Sequence, residues 1–223
     1  MNKTPITIKE SISAGWQLTK SNYSILLASL AILMAISVGL SIADNIITAS
    51  SSKSPATSVI IALLLASLVV TVLRVGIQNL TSIGFTRIQL NILDKKATSV
   101  SQLFNSENIF WRYLGTSIVY ALIVIGGFIL LIVPGVVWAI KYQFALPLVV
   151  DKKLSLGEAI TKSGQITKGY KGWLFGLAIV LGLLNIAGLL ALGVGLLLTI
   201  PITVMSQIWV YRKLLNSNST KDA

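Results

Sequence analysis

Six runs of mainly apolar residues set the plan of the chain: 23–43, 59–80, 114–133, 136–150, 173–192 and 196–211. A bilayer core about 30 Å thick needs roughly 20 such residues in a helix, so each run reads as a transmembrane helix, the fourth being short. The turns after Val133 and Leu192 are minimal, built on Pro134 with Gly135 and on Gly193 with Gly195. The runs therefore pair into three hairpins. The first run is too long for a signal-peptide core and lacks a clear small-residue cleavage site, so it is expected to stay as an uncleaved helix.

The polar positions between the runs carry a recurring pattern: hydroxyl, apolar, any, Glu or Gln, any, apolar. It occurs at residues 7–12 (TIKESI), 99–104 (SVSQLF) and 155–160 (SLGEAI), each time before an apolar run. Thirteen positions after each opening hydroxyl stands a cation: Lys20, Arg112 and Lys168. Thr7 with Glu10, Ser99 with Gln102 and Ser155 with Glu158 have the spacing of a capping box, in which hydroxyl and carboxyl side chains satisfy the free N–H groups of a helix start. Each copy thus predicts a short amphipathic helix. Two copies follow the same punctuation, Asp94-Lys95-Lys96 and Asp151-Lys152-Lys153. This reads as an internal repeat with units of roughly 5–96, 97–153 and 154–215, one transmembrane domain over 1–215, and a flexible tail at 216–223.

In the third copy Leu156, Ala159, Ile160, Ser163 and Ile166 share one face, and in the first Ile8, Ile12 and Trp16 do so. Such helices either lie in the membrane interface, with lysines toward headgroups, or pack under the bundle. In the fifth run Gly172, Gly176, Ala178, Gly182, Ala187, Ala191 and Gly195 recur at helical spacing, the small-residue pattern of close helix packing in lipid. That span is expected to be central, with homodimerisation through the same face as the alternative.

Composition agrees with a membrane protein: 54% hydrophobic residues, 11% charged, and a mean hydropathy of +0.83 over 223 residues. With both termini inside, the cations from Lys3 to Lys221 collect on the cytoplasmic side and Lys53 stands alone outside, which predicts cytoplasmic N- and C-termini in a bacterial-type inner membrane. The net charge of +11 then points to anionic lipid headgroups rather than nucleic acid.

The chain has no cysteine and no histidine, so disulfide, thiolate and histidine-based metal or triad chemistry are excluded. Of seven acids, Glu10 and Glu158 have capping roles and Asp94 and Asp151 turn roles. Asp44 falls at the outer end of the first run, Asp222 in the tail, and Glu107 has no obvious carboxylate partner. No phosphate-binding glycine motif appears in a suitable context. The reading is a non-enzyme with no cofactor and no metal.

Two cations fall inside apolar runs, Arg74 and Lys141. A charge there costs roughly 2.5–3.5 kcal/mol on insertion scales, which makes each a functional candidate. Either they snorkel to headgroups, or they face the bundle interior with Gln78, Gln143, Asn185 and Gln207 as a site for an anion or lipid headgroup.

Several of these elements together resemble a family of six-helix prokaryotic membrane proteins related to the membrane domain of some glycerophosphodiester phosphodiesterases. They are Gly84 with Arg87, LDKK with SVSQLF, the VPG of 133–135, FALPLVVDKKLSLGEAI, the S-x-x-x-T-K-G of 163–169 and IPITVMSQIWVYRKL. In the related enzymes the chemistry belongs to a separate soluble domain, so the resemblance implies a membrane module without catalysis and supplies no site residues. The combined expectation is an all-α, polytopic integral membrane protein: six transmembrane helices as three hairpins, each preceded by a cytoplasmic amphipathic helix. It would act as a membrane accessory or scaffold contacting lipid, with a homo-oligomer or membrane-protein partner open. The alternative is a transporter or a lipid- or anion-binding protein.

Overall fold

The computed structural model describes residues 6–51, 57–106, 108–191 and 193–219. Lys3, Lys53, Glu107, Leu192, Lys221 and Asp222 lie outside the described residues. The regular elements are all helical: α1 Ile8–Ser21, α2 Tyr23–Ser51, α3 Thr57–Leu93, a 3-10 turn Val100–Phe104, α4 Phe110–Leu130, α5 Ile132–Tyr142, α6 Ala145–Lys152, α7 Leu156–Ile166, α8 Lys171–Leu190 and α9 Leu196–Ser219. Among the described residues, five segments are long and apolar enough to cross a membrane: Tyr23–Ala43, Ile61–Leu93, Phe110–Leu130, Ile132–Lys152 and Lys171–Leu190. Their outward faces carry exposed Leu68, Val72, Leu122, Ile129 and Leu183, the surface a lipid-solvated helix needs.

α2 packs on α3, α4 on α5, and α8 on α9. The Tyr120 hydroxyl donates to the Ala139 carbonyl at 3.2 Å between α4 and α5, and the Asn185 amide to Thr203 Oγ1 at 3.1 Å between α8 and α9. At the α4–α5 turn Gly127 and Gly135 lie so close that a Cβ on either would overlap the other helix.

The fourth apolar run is two helices, not one. α5 stops at Tyr142 and α6 starts at Ala145. Pro147 is the cause: its ring has no N–H for the Gln143 carbonyl and clashes with it in a continuous helix. In the first turn of a new helix, where N–H groups lack intrahelical acceptors, a proline is tolerated. The groups freed by the break are taken up by α7, where Ser163 Oγ donates to the Lys141 carbonyl at 3.0 Å and accepts the Phe144 N–H at 3.3 Å. Thr167 Oγ1 also lies 3.0 Å from the Lys141 carbonyl.

The centre of the bundle is α9 rather than α8. α9 buries Met205, Ile208, Val210, Tyr211 and Leu214 and packs against α1, α2, α3, α7 and α8. Thr199, Thr203, Ser206 and Gln207 make it less apolar than the five segments above. A helix enclosed by protein does not need lipid-grade hydrophobicity. α8 buries Leu174, Leu177, Leu181 and Gly188, whereas Gly172, Ala178, Gly182 and Ala187 of the expected packing stripe are exposed. Gly195 of that stripe does make a close approach, to Gly188 of α8. α9 also continues to Ser219, so residues 216–219 of the expected flexible tail are helical, following buried Leu214 and Leu215.

Two of the three capping patterns open α-helices. Thr7 Oγ1 accepts the Glu10 N–H at 3.1 Å at the start of α1, and Glu158 Oε2 accepts both the N–H and the hydroxyl of Ser155 at 2.9 and 2.7 Å at the start of α7. The middle pattern opens only the 3-10 turn, which is a correction to three equal amphipathic helices. Here Leu103 lies with its backbone directly against Gly84 of α3, and Gln102 accepts from Asn91 at 3.1 Å instead of capping. That close approach leaves no room for a helix of ordinary diameter. α1 and α7 both pack into the bundle. In α1 the buried stripe is Ser11, Gly15 and Thr19, with Gly15 set against Ser206 and the Ile202 carbonyl of α9, while Trp16 of the expected apolar face is 41% exposed. In α7 the buried residues are Ala159, Ser163 and Ile166, on the expected face.

Candidate functional site

The C-terminal ends of α3 and α6 lie beside Arg212 of α9, about two turns before α9 ends, and the three helices meet there through an ionic clasp. Arg212 Nη1 lies 2.9 and 3.2 Å from the two carboxylate oxygens of Asp151, and its Nη2 lies 2.9 Å from Asp94 Oδ2. The Tyr211 hydroxyl donates to Asp151 Oδ2 at 2.8 Å. The planar fork of arginine can serve two carboxylates at once, which a lysine cannot. Both aspartates hold this position because the chain turns sharply just after them, with Lys95 at φ 56° and Lys153 at φ 53° in the left-handed region that ends a helix. Beside the clasp lies a polar recess of about 300 Å³ lined by residues including Arg87, Asn91, Gln102, Asn105 and Lys153. Arg87 donates to the Asn105 carbonyl at 3.0 Å, and Arg112 donates to the Lys153 carbonyl at 2.9 Å.

Away from the clasp, the same three helices frame a second cleft of about 410 Å³. α3 contributes Ser82, Phe85, Thr86 and Gln89, the α5–α6 break contributes Gln143, Phe144, Leu146 and Pro147, and α9 contributes Val204, Gln207 and Ile208. Leu33 of α2 and Tyr113 of α4 complete it. The register is regular: Thr86, Gln143 and Val204 each stand eight positions before a clasp residue, and Gln89, Leu146 and Gln207 five before. Every lining side chain is uncharged. The Tyr113 hydroxyl is hydrogen-bonded to Ser82 and Thr86. Gln143 Nε2 donates to the Ile140 carbonyl at 3.0 Å, which leaves its Oε1 free. Gln89 is buried, 8% exposed, and makes no side-chain hydrogen bond among the described residues. The break at Gln143 is what admits a polar side chain here, since an unbroken helix would carry the chain straight past.

Of the six residues expected to form an intramembrane site, only Gln143 and Gln207 line this cleft. Arg74 bonds Ser41 Oγ of α2 at 3.2 Å. Lys141 lies against Gly164 of α7, with its Nζ 4.7 Å from the Tyr142 ring centre. Asn185 is taken by Thr203, and Gln78 is exposed. A cation can be held by a hydroxyl or a ring without facing a common centre, so intramembrane charge was the wrong guide to the cleft. Ser82, Thr86, Gln89 and Tyr113 were missed because neutral polar residues in an apolar run raise no alarm. Their offset from the Asp-Lys-Lys punctuation, matched in the fourth run by Gln143, was the available signal.

No group of three or more metal-ligating acids occurs among the described residues. At the start of α7 the Ser155 hydroxyl and N–H hold the Glu158 carboxyl below its ordinary pKa, with a smaller contribution from the Arg112 charge.

No family model matches this chain. It is 29% identical over 130 residues to uncharacterised proteins of Mycobacterium bovis and of one strain of Mycobacterium tuberculosis, and 28% identical to an uncharacterised protein of a second Mycobacterium tuberculosis strain. Each match covers 56% of this chain and 38% of the relative, so the chain aligns with well under half the length of these proteins. No solved structure matches.

Proposed function

We propose that this chain is a non-catalytic membrane module that holds a lipid molecule in the cleft between α3, the α5–α6 break and α9. The observation that carries this reading is the cleft's lining: uncharged hydrogen-bonding groups beside Phe85, Phe144 and Leu146, a mixture suited to the polar–apolar boundary of an amphiphile. On this reading α9 is a sixth crossing, the three helix pairs are three parallel repeat units, and Asp94, Asp151 and Arg212 occupy the same position in each. Both termini are then cytoplasmic, in the cell membrane, with the clasp facing the cytoplasm and its flanking lysines meeting anionic headgroups. The role agrees with the non-catalytic membrane domain implied by the LDKK, VPG and FALPLVVDKK motifs. The clasp ties the three framing helices together five to eight positions beyond the cleft residues, which favours holding a ligand over passing it through.

Native mass spectrometry of gently extracted protein tests the reading. Lipid should remain bound at a fixed ratio, and a Gln207→Trp variant that fills the mouth should lose it; equal retention by the two would count against the cleft. For orientation, the cysteine-free chain is convenient. Ser52→Cys should react with an impermeant thiol reagent added outside, Ser155→Cys should not, and the reverse labelling would overturn the topology.

A further inference from the structure

We infer that the cleft selects the uncharged, hydroxyl-bearing end of a neutral glyceride rather than an anionic phospholipid, with Gln89 as the group that recognises it. The inference rests on the lipid-binding reading above. It starts from Gln89, a carboxamide 8% exposed, lining a cleft of about 410 Å³ and making no side-chain hydrogen bond among the described residues. Its amide opens on the cleft and takes no partner from the chain among the described residues, so its hydrogen bonds are left to whatever occupies the cleft.

The free groups define the ligand's chemistry. A carboxamide presents an acceptor oxygen beside a donor NH2, as Gln89 and Gln207 do, and Gln143 adds a free acceptor, its Nε2 being already committed to the Ile140 carbonyl. A hydroxyl both donates and accepts, so it can bond such a set fully. A phosphate only accepts; it could bond the NH2 groups of Gln89 and Gln207, but it would leave the carbonyl oxygens without a donor and find no cation in the lining to balance its charge. The cations nearest in sequence are otherwise engaged, Arg87 with the Asn105 carbonyl and Lys141 against α7 and the Tyr142 ring. Phe85, Phe144 and Leu146 then offer an apolar wall for the first carbons of the acyl chains.

Three probes separate the alternatives: a photoactivatable dioleoylglycerol, dioleoylphosphatidic acid with the same chains and an anionic head that carries no alcohol hydroxyl, and free glycerol. The protein is reconstituted in nanodiscs and crosslinked peptides are mapped by mass spectrometry. The expected result is saturable labelling of segments 82–89 and 143–147, competed by unlabelled dioleoylglycerol and not by the other two. Gln89→Leu should reduce that labelling about tenfold, the worth of roughly one hydrogen bond, while leaving the melting temperature of delipidated protein unchanged or higher, because the amide bonds no other group of the chain among the described residues. A structural role for Gln89 would instead lower the melting temperature. Competition by phosphatidic acid as strong as by dioleoylglycerol would overturn the selectivity and leave the lipid-binding reading standing. Competition by glycerol at comparable concentration would overturn the lipid character of the ligand, and absence of labelling in both segments would sink the cleft reading as well.

Discussion

Ser163 mends a helix it does not belong to: its hydroxyl donates to the Lys141 carbonyl at 3.0 Å and accepts the Phe144 N–H at 3.3 Å. Ser163 is fully buried, so water cannot replace it. Ser163→Ala should therefore strand the Phe144 N–H and weaken the hold on Lys141, costing about 1–3 kcal/mol in thermal or denaturant unfolding of the detergent-solubilised protein. Ser163→Cys, whose thiol is a weaker donor and acceptor, should fall between the two. A wild-type melting curve for Ser163→Ala would show that the break needs no support from α7.

The clasp should rank its members by how much each holds. Asp151 accepts from Arg212 and from Tyr211, and its side chain is 11% exposed against 31% for Asp94. Arg212→Met should cost most, about 1–3 kcal/mol, below the range for fully buried pairs because water still reaches part of the network. Asp151→Asn should cost less than that and Asp94→Asn least. The same unfolding assay reads the order, and an equal or reversed effect of the two aspartates would refute it.

Gly84 and Gly15 mark close approaches of a capping segment to a long helix of the bundle. A Cβ at Gly84 would overlap the backbone of Leu103, and one at Gly15 would overlap Ser206. Gly84→Ala should destabilise by roughly 1–3 kcal/mol, since a backbone cannot step aside as a flexible side chain can. Gly39→Ala, at a site with nothing within 4 Å, is the matched control and should be near neutral.

The start of α7 should carry a small acid dependence. Because the folded carboxyl of Glu158 has a pKa below its ordinary 4.5, the capping contribution is complete above the unfolded value and is lost as pH falls through the folded one. A carbon-13 carboxyl titration should place Glu158 below ordinary glutamates. Ser155→Ala should move that midpoint up, since the serine hydroxyl is the largest cause of the shift. A midpoint that stays put would assign the shift to the backbone N–H and Arg112.

Much of the fold was legible from short-range pattern. The apolar runs, the helix starts at Thr7 and Ser155, and the turns at the Asp-Lys-Lys sites depend on residues within about four positions of one another. The candidate site was less legible: Gln143 and Gln207 could be singled out as polar residues in apolar runs, but Gln89 and Tyr113 could not be ranked above any other neutral side chain. Pro147 was readable as a helix breaker, yet its consequence depends on a serine sixteen positions later.

The sequence alone thus determined that the chain is helical, roughly where its long apolar helices run, and that Thr7 and Ser155 start α1 and α7. Only the tertiary structure decided that α9 rather than α8 is central, that α1 buries its small residues rather than its large ones, and that Asp94, Asp151 and Arg212 meet over a neutral cleft. The physical reason is that lipid tails and protein interior are equally apolar. Hydrophobic periodicity can place a segment in the membrane, but it cannot say which of its faces meets another helix, and that choice belongs to shape and to hydrogen bonds between residues far apart in the chain.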